Sequence, residues 1–235
     1  DLPKDLKHWI DMLKSLEAHG YFLLNPFECY EICGSKYLTD VHLRQAGIRT
    51  PKTVRITHSE DSERAFEELK TKFPVILKLS QGTQTGVGVV KIDSMGTLHT
   101  TVQMMLMIDK KLPLLVQEYI ELEYDIRVMV LNDKVIGVMK RNVIKGKDFR
   151  SNVSLGAEPE KMELTKLEEQ TAIKASKAVK GILTGVDLIP SKNRETEEPY
   201  VLEVNANPGL TGIESTNKGI TTEVFTYFKN RENWR

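Results

Sequence analysis

Apolar positions along this chain recur at two alternating periods, and the switches mark its elements. Leu6, Ile10, Leu13 and Leu16 fall at helical spacing, and Gly20 supplies the stop. After a short extended piece at residues 21–24, Ser35 caps a second helix. There Leu38, Val41 and Gln45 share a face and Gly47 ends the run. Residues 53–56 read as a strand. Ser59 then caps a helix with an acidic first turn and Ala65, Phe66 and Leu69 facing inward. Pro74 breaks the chain before residues 75–79, a strand interrupted by one lysine, Lys78. A second strand, 89–92, follows a Gly-rich segment at 80–88. Leu98, Val102, Met105 and Leu106 predict a helix to about Lys110. Strands follow at 114–120, 125–131 and 134–141, the last two joined by an Asn132-Asp133 turn. Residues 142–160 form a polar, basic loop. Thr165 and Glu168 make a capping box for a helix that turns Ala172, Ala175, Val179 and Ile182 inward. Strands at 185–189 and 201–205, a loop at 210–214 and a helix at 222–230 complete an α+β chain.

The polar exceptions inside these apolar strands carry the chemistry. In a strand, residues two apart share a face, so Glu203 and Asn205 point one way while Leu202 and Val204 point to the core. A buried carboxylate beside a buried amide is costly without a partner. A hard cation held by oxygens satisfies both. The polar segment 190–198 turns the chain so that Asp187 comes opposite them in an antiparallel hairpin. Three oxygen ligands, with water or phosphate completing the shell, suit Mg²⁺ better than a closed protein cage does. Taken singly, Asn205 reads equally well as a turn residue and Glu203 as a surface ion pair; the three together favour the metal.

Lys78, inside a strand, needs an anionic partner, and a phosphate supplies one. Lys36 stands in the first turn of its helix, where the dipole disfavours a cation. An exposed lysine is the plain reading there. An anion shared by Lys36 and the helix end would remove the conflict. The glycine-rich segment can bring backbone N–H groups close to an anion. It is neither a Walker loop nor a dinucleotide fingerprint, because no Gly-Lys-Ser/Thr and no helix follow. No Ser or Cys nucleophile has a base at a suitable spacing, which argues against covalent catalysis by the protein.

Bulk properties narrow the classes further. With 235 residues the chain is one large domain or two small ones. Its net charge of +0 gives no global field toward nucleic acid or an anionic membrane, and no apolar run reaches spanning length. Cys29 and Cys33 read as free thiols, the usage of a reducing, cytoplasmic compartment. The sequence opens on Asp1 rather than Met and reads as a piece of a longer chain, so no targeting signal can be judged.

In combination, the motifs resemble the ATP-grasp enzymes, most closely the RimK-like glutamate ligases that modify ribosomal protein. The resemblance runs from about residue 25 to 222. It rests on Val75-Ile76-Leu77-Lys78 with Gly82-Thr83-Gln84, Val116-Gln117-Glu118-Tyr119-Ile120, Asp125-Ile126-Arg127 and Asp148-Phe149-Arg150-Ser151-Asn152. Gly185-Val186-Asp187, Leu202-Glu203-Val204-Asn205 and Asn207-Pro208-Gly209-Leu210 complete it. It implies two α+β subdomains clasping ATP, at 31–120 and 121–235, with residues 1–30 a remnant or linker of an N-terminal domain largely absent. By the same resemblance Lys36 and Lys78 contact phosphates, and Gly82, Thr83, Gln84 and Gly86 belong to a mobile lid. Gln117, Glu118, Tyr119 and Ile120 form the adenine hinge, and Asp125 takes the ribose hydroxyls. Arg127, Arg150 and Asn152 face the reacting phosphate. Asp187, Glu203 and Asn205 hold two Mg²⁺ ions, with Mn²⁺ as a substitute and Glu203 bridging.

The implied activity is ligation of a carboxylate to an amine through an acyl phosphate, adding an acidic amino acid such as glutamate to a peptide or protein. Association is implied with copies of itself or with a chain supplying the absent domain. This sequence departs from the family in the lid, where Gln84-Thr85-Gly86 carries an extra residue, and at Asn142, where a second arginine is common; both lie where an acceptor would enter. A kinase on the same scaffold, acting on a small molecule or peptide, and a nucleotide-binding module without turnover are the alternatives. The intact ligand set argues against the module.

Overall fold

The structure, a computed structural model, describes residues 6–80, 88–143 and 159–234. Two antiparallel sheets organise it, as the ATP-grasp resemblance implies. Helices α1 (Leu6–Ala18), α2 (Phe27–Cys33) and α3 (Lys36–Gln45) come first. The first sheet holds β1 (Thr53–Ile56), β2 (Val75–Leu79), β3 (Val89–Ile92) and β4 (Leu114–Glu118), in the order β1-β4-β2-β3. Helices α4 (Ser62–Leu69) and α5 (Met95–Ile108) supply Ala65, Leu69, Leu98 and Val102 to a core shared with Ile56, Val75, Leu77, Val116 and Ile92. Burial of these side chains is what commits the two short, weakly helical segments to one face of the sheet.

The second sheet runs β7-β6-β5-β8-β9, with β5 (Tyr124–Leu131), β6 (Lys134–Asn142), β7 (Pro159–Lys161), β8 (Leu183–Ile189) and β9 (Tyr200–Asn205). One face is apolar: Ile126, Val128, Val130, Val186, Leu188 and Val204 pack on α6 (Lys166–Ala178) and on Cys29, Ile32 and Leu43 from α2 and α3. The helices of residues 27–45 therefore share the second sheet's core while α3 also reaches toward the first. The other face is divided. At one end Met129 and Met139 pack under Ile213 of α7 (Thr211–Glu214) and Ile220 of α8 (Ile220–Lys229). Gly137 permits that contact, since a Cβ there would come within 2.4 Å of the Ile220 Cδ1. At the other end stand Asp125, Arg127, Arg141, Asp187 and Glu203.

Four local expectations change. Helix α2 is not legible in the sequence, being two turns of mixed polarity between Pro26 and Gly34. Ser59 is not the cap: His58 closes a capping box with Asp61 over a single 3₁₀ turn, and α4 begins only at Ser62. The expected loop at 210–214 winds one helical turn, α7. Strict alternation in β9 also fails. Asp187 pairs with Glu203 but Leu188 pairs with Val201, so Leu202 is the extra residue of a β-bulge. Val201 takes the core position, and Leu202 is only half-buried, turned to a cleft it shares with Lys36 and Lys78.

Asn25, 1% exposed, ties the N-terminal region to both site strands. Its amide nitrogen donates to Leu183 O (2.6 Å) and Ala206 O (2.7 Å), and its oxygen accepts from the Ile182 and Leu183 N–H groups (2.6 and 2.7 Å). The start of β8 and the turn after β9 are thereby held by one side chain. The expected capping box of α6 is present, Thr165 accepting from the Glu168 N–H and Glu168 accepting from the Thr165 N–H. Both cysteines are free thiols, as read from the sequence. Among the described residues no helix is long and apolar enough to cross a membrane.

Candidate active site

The site forms where the polar end of the second sheet meets β2, β4 and the N-terminal half of α3. Antiparallel register decides its composition. Directly opposed residues share a face, and Asp187 opposes both Glu203 and Arg127, while Asp125 opposes Arg141. Asn205 opposes Gly185, two residues from Asp187, and its amide nitrogen lies 3.4 Å from Gly185 O. Gly185 leaves room for Arg127, whose Cδ and Nε would lie 3.9 Å from a Cβ there, and for Pro208, whose Cβ would lie 3.0 Å away. The predicted metal trio thus stands on one face of one hairpin.

Each carboxylate of this face is held by a cation. Arg127 grips Asp187 with both arms of its guanidinium, Nε to Oδ1 and Nη2 to Oδ2, each at 2.7 Å. Arg141, 2% exposed, grips Asp125 in the same manner at 2.6 Å and 2.6 Å, and its Nη2 reaches Asp187 Oδ2 at 3.1 Å. Bidentate, desolvated pairs of this kind are the strong ones. Burial alone would raise the Asp187 carboxyl, but the two guanidiniums outweigh it and hold it at about 2. From the sequence Arg141 counts, with Arg127 and Arg150, among the arginines suited to a nucleoside triphosphate; its pairing with Asp125 comes only from the strand register. Its signal there is an arginine inside an alternating strand, at a position facing Asp125.

Lys36 follows the Ser35 cap, whose hydroxyl accepts from the Leu38 N–H at 3.3 Å. Its ammonium lies 3.1 Å from Glu203 Oε1. The anion that this helix end called for is therefore Glu203. The Lys36 N–H donates to Ser80 O at 2.8 Å, fixing the helix start against the end of β2.

Lys78 is 7% exposed and donates to Gln117 Oε1 at 2.9 Å; Gln117 Nε2 in turn donates to Thr53 Oγ1 at 2.7 Å. A neutral amide compensates an ammonium poorly. Burial pushes its pKa down to about 8, against the pull of Glu203, with Lys36 pushing further down and Asp40 pulling back. Along the hinge, the Glu118 N–H donates to Lys52 O at 2.9 Å and its Oε1 accepts from the Lys52 N–H at 2.7 Å. Tyr119 carries Lys91 over its ring at 4.2 Å, and Ile120 follows, half-buried. Gly82, Thr83, Gln84, Gly86, Arg150 and Asn152 lie outside the described residues.

Between these walls lies a small cleft bordered by Lys36, Asp40, Lys78, Gln117, Leu202 and Glu203. Within the cleft Lys36 is paired with Glu203 while Lys78 has only the neutral Gln117 amide; beside it Arg127 is paired with Asp187 and Arg141 with Asp125. Among the described residues no three acids, histidines or cysteines converge as a self-sufficient metal cage. Two carboxylates and an amide on one face fit Mg²⁺ only if a phosphate and water complete its shell, and that donor chemistry is what Mg²⁺ accepts.

Comparison with known proteins agrees with this geometry. A family model described as the RimK-like ATP-grasp domain matches residues 34–226. A probable alpha-L-glutamate ligase of Vibrio atlanticus is 34% identical over 221 residues, 93% of this chain and 70% of that protein. One of Coxiella burnetii is 35% identical over 209 residues, 88% of this chain and 66% of that protein. Among solved structures, the ATP-grasp ligase PsnB with a precursor variant, Mg and ADP superposes with a TM-score of 0.71 at 20% identity, over 97% of this chain and 67% of that one. The D-alanine–D-alanine ligase of Bacillus anthracis complexed with ATP gives 0.68 at 21% identity, over 95% and 70%. On the strength of the family match and the relatives a third identical to it, the chain belongs to the RimK-like ATP-grasp family and has the fold of an ATP-dependent ligase.

Proposed function

We propose that this protein ligates an acidic amino acid, glutamate first among them, to a peptide or protein with consumption of ATP. The observation that carries the reading is the exchangeable ion-pair face: Asp187 and Glu203, cross-strand neighbours, are each held by a cation that a nucleotide's phosphates would engage instead. Lys36 and Arg127 neutralise the two carboxylates. With nucleotide bound, Lys36, Lys78 and Arg127 would neutralise phosphate, and Asp187, Glu203 and Asn205 would hold Mg²⁺ ions, for which Mn²⁺ would substitute. Bound Mg²⁺ supplies charge neutralisation at the triphosphate. Each group changes partner and no buried charge is left alone, which is what a low-dielectric site requires.

The chemistry follows from positioning and charge. A substrate carboxylate attacks the terminal phosphorus of ATP, giving an acyl phosphate and ADP. The amine attacks the acyl carbon, expelling phosphate and forming the amide. Arg127, with Arg150 and Asn152 as the resemblance implies, would balance charge on the transferring group. The hinge from Gln117 to Ile120 holds the base. Asp125 meets the ribose by exchanging one of its two Arg141 bonds for a hydroxyl. The names of the relatives supply the amino acid, and PsnB, solved with its precursor peptide, supplies the peptide class of acceptor.

The test is direct. The protein is incubated with ATP, Mg²⁺, glutamate and a panel of peptides, and intact masses and ADP are followed. Peptide heavier by one or more glutamyl residues, in step with ADP, is the expected result. ADP without an amide product for every acceptor, or a phosphorylated product that survives hydroxylamine, overturns it.

A further inference from the structure

Register gives the first sheet one face for the core and one for the cleft. Val75, Leu77, Ile92 and Val116 lie in the core. Ile76, Lys78, Lys91 and Gln117 therefore stand on the opposite face, where Lys78 and Gln117 border the cleft. Across that face Lys91 of β3 opposes Ile76 of β2, and Ile76 opposes Gln117 of β4. Ile76, 8% exposed, is thus an apolar floor between an outer lysine and an inner amide. The face also has a direction. β2 ends at Ser80, bound to the Lys36 N–H at the phosphate end, while β4 runs the other way into the hinge and sets Glu118 opposite Val75. The row that holds Lys91 lies two residues from Lys78, about 7 Å toward the hinge.

Lys91 is half-buried, and its ammonium lies 4.2 Å from the centroid of the Tyr119 ring in the hinge. Among the described residues no carboxylate pairs with it; its contact is the ring. A ring face attracts the cation but leaves N–H donors of the ammonium without an acceptor. The neighbouring polar groups are taken. Gln117 has both ends of its amide engaged, by Lys78 and by Thr53, and Glu118 accepts from the Lys52 N–H. A cation at this end is a row away from the phosphate-binding lysine, so the acceptor that suits it on a nucleotide belongs to the base. The hinge backbone suits the edge of adenine that carries N1 and the amino group. The adjoining edge carries N7, an acceptor that a side chain from beyond the hinge can meet.

We propose that Lys91 is a base-reading residue, its ammonium donating a hydrogen bond to N7 of adenine from its seat on the Tyr119 ring. The inference rests on the nucleotide reading under the proposed function and deepens it by naming a specificity residue. A charge-assisted hydrogen bond discriminates against the analogue that lacks the acceptor, because the donor is then left unmet.

The test compares ATP with 7-deaza-ATP, which keeps the shape and the phosphates and has a C–H in place of N7. Dissociation constants are measured by calorimetry with Mg²⁺ on the full chain, for wild type, Lys91→Met and Lys91→Gln. Wild type is expected to prefer ATP about tenfold. Lys91→Met keeps an apolar stem on the sheet and is expected to abolish most of that preference by weakening ATP alone. Lys91→Gln keeps an uncharged donor of shorter reach; it lowers the preference about threefold and serves alone if the methionine variant does not fold. A wild type without preference, or a preference that survives both substitutions, overturns the proposal. So does an equal loss for both nucleotides, which assigns Lys91 to the packing of Tyr119. Wild-type protein that binds neither nucleotide overturns the nucleotide reading itself. Wild-type protein that binds ATP while the ratio ignores Lys91 overturns only this inference.

Discussion

Replacing Lys78 with methionine should stabilise the ligand-free protein while removing its affinity for ATP. The buried ammonium has its pKa lowered from 10.5 to about 8, chiefly by loss of hydration. At about 1.36 kcal/mol per pH unit, carrying that charge in the fold costs about 3 kcal/mol at neutral pH. Methionine fills the same channel without charge. It leaves Gln117 Oε1 without its donor, a loss of about 1 kcal/mol. The net gain is about 2 kcal/mol, or roughly 4–8 °C in Tm for a chain of this size. The sign carries a pH signature. Between pH 8 and 10.5 the unfolded state binds more protons than the folded one, so wild-type stability rises with pH across that window. The advantage of Lys78→Met is therefore full below pH 8 and fades toward 10.5. Calorimetric melts near pH 7 and near pH 9.5, with ATP titrations alongside, read both effects. A variant less stable than wild type near pH 7, or an advantage of equal size at both values, would refute the reasoning.

Other perturbations test other parts of the site. Asn25→Ala leaves four backbone groups at the ends of β8 and β9 without partners, and should lower stability by about 3 kcal/mol or more, seen as a shift in urea midpoint. Asp187→Asn removes the carboxylate held at about 2 by Arg127 and Arg141 after they outweigh burial. That carboxylate stabilises the fold above its ordinary pKa of 3.8, and the contribution is lost as pH falls toward 2; the variant should be about 2 kcal/mol less stable at pH 7 and flatter between pH 4 and 2. Arg141→Met removes the bidentate grip on Asp125 and one of the two guanidiniums on Asp187, and should cost about 3–5 kcal/mol. Adding Asp125→Asn should recover a measurable part of that loss in the same denaturation assay, because one buried charge fewer then needs compensation.

Local pattern is enough for much of this molecule. Alternation sets which strand residues share a face, so the grouping of Glu203 with Asn205, and of Asp125 with Arg127, follows from residue spacing alone. The Ser35 cap and the Thr165–Glu168 box are equally plain, because caps depend on residues three apart. Lys78 stands out as a single charge in an apolar strand. The grouping of Asp187, Glu203 and Asn205 is legible as far as a hairpin can be, since a polar turn between the strands brings them opposite each other.

What the sequence determined by itself, then, is every relation carried by neighbours in the chain: periodicity, caps, hairpin faces and the motifs that place it among the ATP-grasp enzymes. Tertiary structure decided who partners whom. Arg141 and Asp125 are sixteen residues apart, and Arg127 and Asp187 sixty, so their ion pairs exist only once β6, β5 and β8 lie side by side. The bulge at Leu202 and Asn25 joining β8 to β9 likewise follow from packing between separate segments. Periodicity cannot foresee them, because the free energy that selects them is burial and charge compensation between segments that a linear pattern never brings together.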